Sequence, residues 1–291
     1  MGVLGRLKDI DLFPPLEDTV DIMADNYKRL LAQAIPLPKE FSFIKEFLKD
    51  GLLPGLYALA GIPGIGKTTI LNQLADSLAK EKIPTIYFLT EEPAYRLISR
   101  TVKKQGLKYM RDLKKNQPDI LKYRRIFEMT PEYTAERLKE VIQGIKFRLE
   151  LKGEHYPVFI LDSFQALRLE KEKERMDLRA RATLKAEYLS HIARDLSIPV
   201  IFASFTARGL YPGEKKEPKE PTMAVFKESG DIEYLIDVGM CLWTEGEKEL
   251  REPEPNVDLY FVKNRFGRWG KVDPGLKLIK KECRFDSLAT G

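Results

Sequence analysis

Apolar and polar positions change rhythm along this chain. From Thr19 to Ala34, Val20, Met23, Tyr27, Leu30, Leu31 and Ala34 fall at helical spacing, which predicts an amphipathic helix in need of a partner surface. The stretch IPLPKE ends it, and FSFIKEFLKDG predicts a second, short helix leading into the turn LLPG. From Leu56 onward, short apolar runs alternate with longer helix-like tracts. The runs LYALA, TIYFLT, YRRIFEM, VFILDSF, PVIFASF, VGMCLWT and VDLYFVK read as strands, and continuous stretches such as VFIL suit strands buried on both faces. Lys67 to Lys80, Thr134 to Leu151 and Met176 to Leu196 read as helices between them. This alternation predicts an α/β fold, a mostly parallel twisted sheet flanked by helices on both faces. Two charged stretches interrupt it: LEKEKERMDLRARA, a solvated helix end or a loop over a channel, and GLYPGEKKEPKEPTM, a loop.

Composition narrows the class without naming a function. The 291 residues are 43% hydrophobic and 32% charged, and no run approaches the roughly 18 apolar residues of a membrane span, so no membrane partner is expected. The first residues lack a basic stretch followed by a long apolar segment, and a cytoplasmic location is the expectation. A net charge of +5 is compatible with a polyanion partner without requiring one. Cys241 and Cys283 lack metal or disulfide spacing and are expected in the core.

The chemistry begins at GIPGIGKTT, which fits G-x-x-x-x-G-K-[ST] between a strand and a helix. Backbone amides of Gly61, Pro63's neighbours Gly64, Ile65 and Gly66, and the start of the helix at Lys67, Thr68 and Thr69, are placed to surround phosphate. Lys67 is expected at the β and γ oxygens and Thr68 at magnesium, so ATP and Mg2+ are the implied ligands. VFILD then puts Asp162 at a buried strand end, where it can hold the metal's water shell; with the P-loop upstream this is preferred over a turn aspartate. TIYFLTEEP ends in Glu91 and Glu92, and a carboxylate there can orient an attacking water, although exposed glutamates are common at strand ends. KNRFGRWG, with Lys263, Arg265 and Arg268 around two rings, is open to three readings: a nucleic-acid grip, catalytic machinery or a solvated hairpin tip.

GLLPGLYALAGIPGIGKTT, YFLTEEPAYRLISR, VFILDSFQALR, FKESGDIEYLIDVGMCLW and YFVKNRFGRWG occur in the order and spacing of one family. Over Ser42 to Phe285 the chain resembles the C-terminal motor domain of the bacterial replicative helicase (DnaB) family. The resemblance implies a RecA-like P-loop fold, a hexameric ring around single-stranded DNA, and ATP held between subunits. It makes Glu91 the catalytic glutamate, Lys263 and Arg265 a K-x-R element reaching the neighbour's ATP, with Arg265 the arginine finger, and Arg208 a further nucleotide-site residue. Lys227, Glu228 and Gly230 match the loop that tracks the DNA backbone, with lysine where arginine is usual, which reduces a bidentate phosphate contact to a point charge.

Two departures matter. SFTAR replaces the family's serine-glutamine-leucine-asparagine-arginine, so Phe205 stands where a glutamine senses the γ-phosphate, and a phenyl ring cannot make that hydrogen bond. The family's N-terminal scaffolding domain has no counterpart, so primase or loader docking through it is not expected. Residues 1–41 then read as an extension with a linker-type helix that packs on the adjacent subunit, preferred over one folded back onto its own domain, and 42–291 as the motor domain. A translocating ATPase on single-stranded DNA is the leading reading; a RecA-like regulatory or assembly ATPase without processive unwinding is the alternative, and the intact site residues speak against an inert relic.

Overall fold

The computed structural model describes residues 16–153, 156–206, 220–229, 232–244, 246 and 248–288. Every apolar run forms a strand: β1 Gly55–Gly61, β2 Thr85–Leu89, β3 Arg124–Glu128, β4 Val158–Asp162, β5 Pro199–Phe205, β6 Val238–Trp243 and β7 Asn256–Asn264. Short strands β8 Gly270–Lys271, β9 Leu276–Ile279 and β10 Arg284–Ser287 follow. The helices are α1 Leu16–Ala32, α2 Lys67–Lys80, α3 Ala94–Lys104, α4 Leu113–Asn116, α5 Pro118–Tyr123, α6 Ala135–Glu150, α7 Leu178–Asp195 and α8 Ile232–Leu235.

These strands join one sheet in the order β10-β9-β7-β6-β1-β5-β4-β2-β3, with β8 beside β7. The pairs from β6 through β3 are parallel, and those from β6 to β10 are antiparallel. The expected mostly parallel sheet is therefore present, extended by an antiparallel edge.

Alternation along β1 explains the two layers of core. Tyr57 and Leu59 face a cluster with Ile70, Leu71 and Leu74 of α2, while Leu56, Ala58 and Ala60 face one with Leu138 of α6 and Leu189 of α7. Each fully buried aliphatic side chain contributes about 1.5–3 kcal/mol. At the far edge, Arg124 anchors β3 to the P-loop helix. It pairs with buried Asp76 and donates to Asn72 Oδ1 at 2.7 Å and Thr101 Oγ1 at 2.9 Å.

The N-terminal region departs from expectation. FSFIKEFLKDG is not an α-helix: a 3₁₀ turn spans Lys39–Ile44, broken at Phe41 (φ −108°, ψ 19°), and Phe41, Ile44, Phe47 and Leu48 all turn into the core. The apolar spacing of these four residues is helix-like, so the expected buried face is present, but the backbone winds it as 3₁₀ and turns instead of an α-helix. Cys241 is buried as expected, but Cys283 is half-buried with φ 52°. Helix α1 leaves Val20, Ile22, Met23 and Tyr27 exposed, so these apolar positions are not folded against its own domain.

Candidate nucleotide site and a distant arginine

β1 ends at Gly61, and the chain turns through Ile62 to Gly66 before α2 begins at Lys67. Gly66 has φ 104°, and a Cβ there would lie 2.7 Å from the Phe285 ring, so backbone and space both require glycine. Lys67 is buried, and its Nζ donates to the carbonyls of Gly61 at 2.7 Å and Ile62 at 3.1 Å. Burial pulls its pKa down to about 8, while Asp162, Cys241 and Glu91 act in the opposite direction. The Phe205 ring centroid lies 4.6 Å from the same ammonium. Phe205 therefore covers the lysine rather than reading phosphate oxygen.

The two acidic strand ends meet beside this loop. Leu89 of β2 lies opposite Asp162 of β4, and side chains carry the ladder past both strands. Thr90 N–H donates to Asp162 O at 2.9 Å, Ser163 N–H donates to Thr90 Oγ1 at 2.7 Å, and Thr90 Oγ1 donates to Ser163 O at 3.1 Å. Ser163 Oγ in turn donates to Glu91 Oε1. Glu92 is engaged elsewhere, paired with Arg100, which donates to Oε2 at 3.0 Å. The structure thus separates two neighbouring glutamates that spacing could not: Glu91 faces the crevice, and Glu92 is a structural partner of α3.

Asp162 is held by Tyr87, whose Oη donates at 2.9 Å. Burial raises its pKa; hydrogen bonds from Thr68 and Tyr87 oppose that, and the nearby Glu92 and Glu91 add to it. One carboxylate beside one hydroxyl fits magnesium, which takes few protein oxygens and completes its shell with water and substrate phosphate. No cluster of three His, Cys, Asp or Glu that could hold a metal occurs among the described residues.

Lys263 and Arg265 are not at this crevice. Asn264 of β7 pairs with Val238 at the start of β6, so the K-x-R element sits at the amino edge of the parallel strands. Arg265 donates to Asp237 Oδ1 at 2.9 Å and Tyr234 O at 3.0 Å, and Asp237 Oδ2 accepts from Leu56 N–H at 2.9 Å. Lys263 Nζ donates to Glu233 O at 2.6 Å. Leu56 and Gly61 stand near opposite ends of β1, so about five residues of strand, ~17 Å, separate this arginine from its own P-loop. Asn264 shapes the tip by donating to Phe47 O at 2.8 Å and Arg268 O at 2.9 Å. Phe266 packs near Tyr57, whereas Trp269 is 73% exposed. Tyr260 and Phe261 are core residues, as expected from their place in a strand.

A cleft of about 1380 Å³ borders the P-loop at Pro63, Phe205 and Thr206 and continues along Phe164, Gln165 and Arg181. Lys67, Thr68 and Glu91 do not line it, so this capacious hollow is beside the phosphate cradle rather than in it. A 3₁₀ segment, Met223–Ser229, carries the backbone of Lys227 and Glu228 toward α8. Gly230 and Arg208 lie outside the described residues. Sequence reasoning misses Ser163 and Asp237; a serine after the strand-end aspartate is the one available cue for the first, and nothing local marks the second.

The family model for the DnaB-like helicase C-terminal domain matches residues 37–287. The chain belongs to this family. Among relatives, the replicative DNA helicase DnaB of Leifsonia xyli subsp. xyli (strain CTCB07) is 25% identical over 283 residues, covering 89% of this chain and 59% of the relative. The DNA repair protein RadA of Haemophilus influenzae (strain ATCC 51907 / DSM 11121 / KW20 / Rd) is 23% identical over 257 residues, covering 86% and 47%. The chain thus spans about half the length of these curated relatives. Among solved structures, that of a DnaB-like replicative helicase described with its primase interactions superposes with a TM-score of 0.72 at 17% identity, covering 98% of this chain and 71% of that one. At that identity the likeness speaks for the fold, which is the RecA-like fold of DnaB-like ATPase domains. Among the described residues no helix is long and apolar enough to cross a membrane.

Proposed function

We propose that this chain is an ATP-hydrolysing motor of the DnaB-like type that assembles as a ring, hexameric by resemblance, and moves on single-stranded DNA. The observation that carries this reading is the placement of Glu91, Asp162 and Lys67 at one end of β1 and of Arg265 at the other. An arginine that far from its own P-loop can reach an ATP only on a second copy, and head-to-tail repetition of such a contact closes into a ring. In this proposal residues 42–291 form the motor and residues 1–41 an extension whose α1 packs on the next subunit.

The division of labour follows from the residues. Backbone amides from Gly61 to Gly66 and the start of α2 hold the phosphates, joined by Lys67 when it leaves its own loop carbonyls. Thr68 and Asp162 hold magnesium, which supplies charge neutralisation at the transferring phosphoryl group. Glu91, fixed by Ser163, orients and deprotonates the attacking water. The partner copy's finger, the counterpart of Arg265, stabilises the charge that develops at the transition state. Arg208 completes the nucleotide side, while Lys227, Glu228 and Gly230 follow the DNA backbone.

The test is ATP turnover with and without a single-stranded oligonucleotide across a salt series. Stimulation that fades with rising salt is expected, because phosphate contacts release counterions. Turnover indifferent to DNA at every salt concentration defeats the motor reading and favours the second one, a RecA-like assembly or regulatory ATPase. Phe205 is the observation that keeps that alternative in play, since it leaves the usual γ-phosphate contact unmade.

A further inference from the structure

Positive charge is unevenly placed on this molecule. Residues 101–125 hold nine Lys and Arg against two Asp, more than the whole chain's net +5, so the remainder is slightly acidic. The stretch runs from the end of α3 through a 3₁₀ turn at Met110–Asp112, then α4 and α5, into β3. β3 is the outermost strand at the end of the sheet opposite β10.

Three features distinguish this lobe from an ordinary solvated face. Lys103, Lys108, Arg111, Lys114, Lys115 and Lys122 are exposed, and among the described residues none lies within 4.0 Å of a carboxylate. Elsewhere some surface cations are paired, as in Lys139 with Asp195, Arg268 with Glu46 and Lys271 with Asp258, and others such as Lys45, Lys49 and Lys281 are not; the lobe differs in gathering six unpaired cations within twenty residues. The platform is firm, because Leu113 and Ile120 are each 1% exposed and Arg124 is tied into the buried network on α2. At its centre the Tyr109 ring is 46% exposed, with Lys108 Nζ 5.1 Å and Arg111 Cζ 4.9 Å from its centroid. Uncompensated like charges held on a fixed scaffold repel one another, a cost relieved by a polyanion.

We propose that the α3–α5 lobe is a second contact surface for single-stranded DNA, on the outer edge of the sheet and separate from the loop at Lys227 to Gly230. It rests on the reading of the chain as a DNA motor. A membrane surface fits less well, since α4 and α5 have four and six residues and cannot lay an amphipathic face along a bilayer. Neither is long enough to enter a duplex groove and read bases. Short, turning helices instead cluster their cations, which a flexible strand can follow, and Tyr109 offers a ring beside the backbone contacts. The contact is therefore expected to be independent of sequence.

The experiment uses the full chain and a fluorescein-labelled oligothymidylate, with anisotropy read over a salt series. A variant with Lys108→Gln, Arg111→Gln, Lys114→Gln and Lys115→Gln is compared with an equally neutralised control, Lys45→Gln, Lys49→Gln, Lys152→Gln and Lys281→Gln. The lobe variant is expected to bind about tenfold more weakly or worse at low salt, with a log–log salt slope shallower by about 2–3, while the control stays within about twofold of wild type. Unchanged thermal unfolding and nucleotide binding in the lobe variant show that the fold is intact. Wild-type affinity and slope in the lobe variant overturn the proposal while leaving the motor reading standing. A wild-type chain that binds no oligothymidylate overturns both, and binding by wild type to anionic phospholipid vesicles in place of the oligonucleotide overturns it in favour of a membrane surface.

Discussion

At the carboxyl end of β1 the functional groups are braced by several partners: Lys67 is 8% exposed, Asp162 is held by Tyr87 and Thr68, and Glu91, itself exposed, is tied to Ser163. At the amino end the Arg265 side chain is 52% exposed, held by one carboxylate and one carbonyl. Surface ion pairs of the second kind contribute about 0–1 kcal/mol, so Arg265 can leave Asp237 at small cost. The first end is held within its own chain, with only Lys67 exchanging loop carbonyls for phosphate, and the second is held loosely enough to turn to another copy. That contrast is what a site completed by another copy requires.

The sharpest way to break the contrast is to remove the exposed partner. Arg265→Ala is expected to lower kcat by about 10³-fold or more while nucleotide binding survives, as measured by steady-state turnover and equilibrium titration. Mixing it with Glu91→Gln should restore activity, since one interface then joins an intact glutamate to an intact arginine. Mixtures as inactive as either parent would show that the two ends of β1 do not meet between copies.

The carboxyl end is sharpened by its two glutamates. Glu91→Gln should cost about 10²-fold or more in kcat, and Glu92→Gln far less, because Glu92 is committed to Arg100. Ser163→Ala should cost about tenfold in kcat with little change in KM, the scale of one hydrogen bond to a charged group. In a Glu91→Gln background the same change should add almost nothing. Equal losses in both backgrounds would make Ser163 a merely structural residue.

The smallest effect is one of pH. With Lys67 near pKa 8 in the free chain and phosphate favouring its charged form, nucleotide binding should take up part of a proton around pH 8. Affinity should then fall as pH rises through that value, by less than about tenfold per pH step of one. Calorimetry in buffers of different ionisation enthalpy reads the uptake, and its absence would mean that Lys67 stays off the phosphates.

Much of this molecule is legible in its sequence because six of the seven main strands are mostly apolar runs, a signal carried by each segment alone; β3, RRIFE, carries it only at Ile126 and Phe127. The P-loop and Asp162 are legible for the same reason, since strand, turn and helix adjoin in sequence. Strands β9 and β10 are not, because each has four residues, with Leu276, Leu278 and Phe285 as their buried members. Their pairing is decided by distant partners. The choice between Glu91 and Glu92 depends likewise on Ser163 and Arg100, and the opposite positions of Lys67 and Arg265 on strand direction, which no local pattern encodes.

Phe285 adds a consequence in time. Its ring closes over Gly66, its N–H donates to Gln73 Oε1 at 2.7 Å, and its carbonyl accepts from Gln73 Nε2 at 2.9 Å. Helix α2 and its seal are 212 residues apart. On the ribosome the phosphate loop therefore emerges long before its roof, and a nascent chain has no finished cradle until β10 has been made. The shape of the phosphate loop is thus a property of the completed sheet, and synthesis itself sets the earliest moment at which the loop gains its last support.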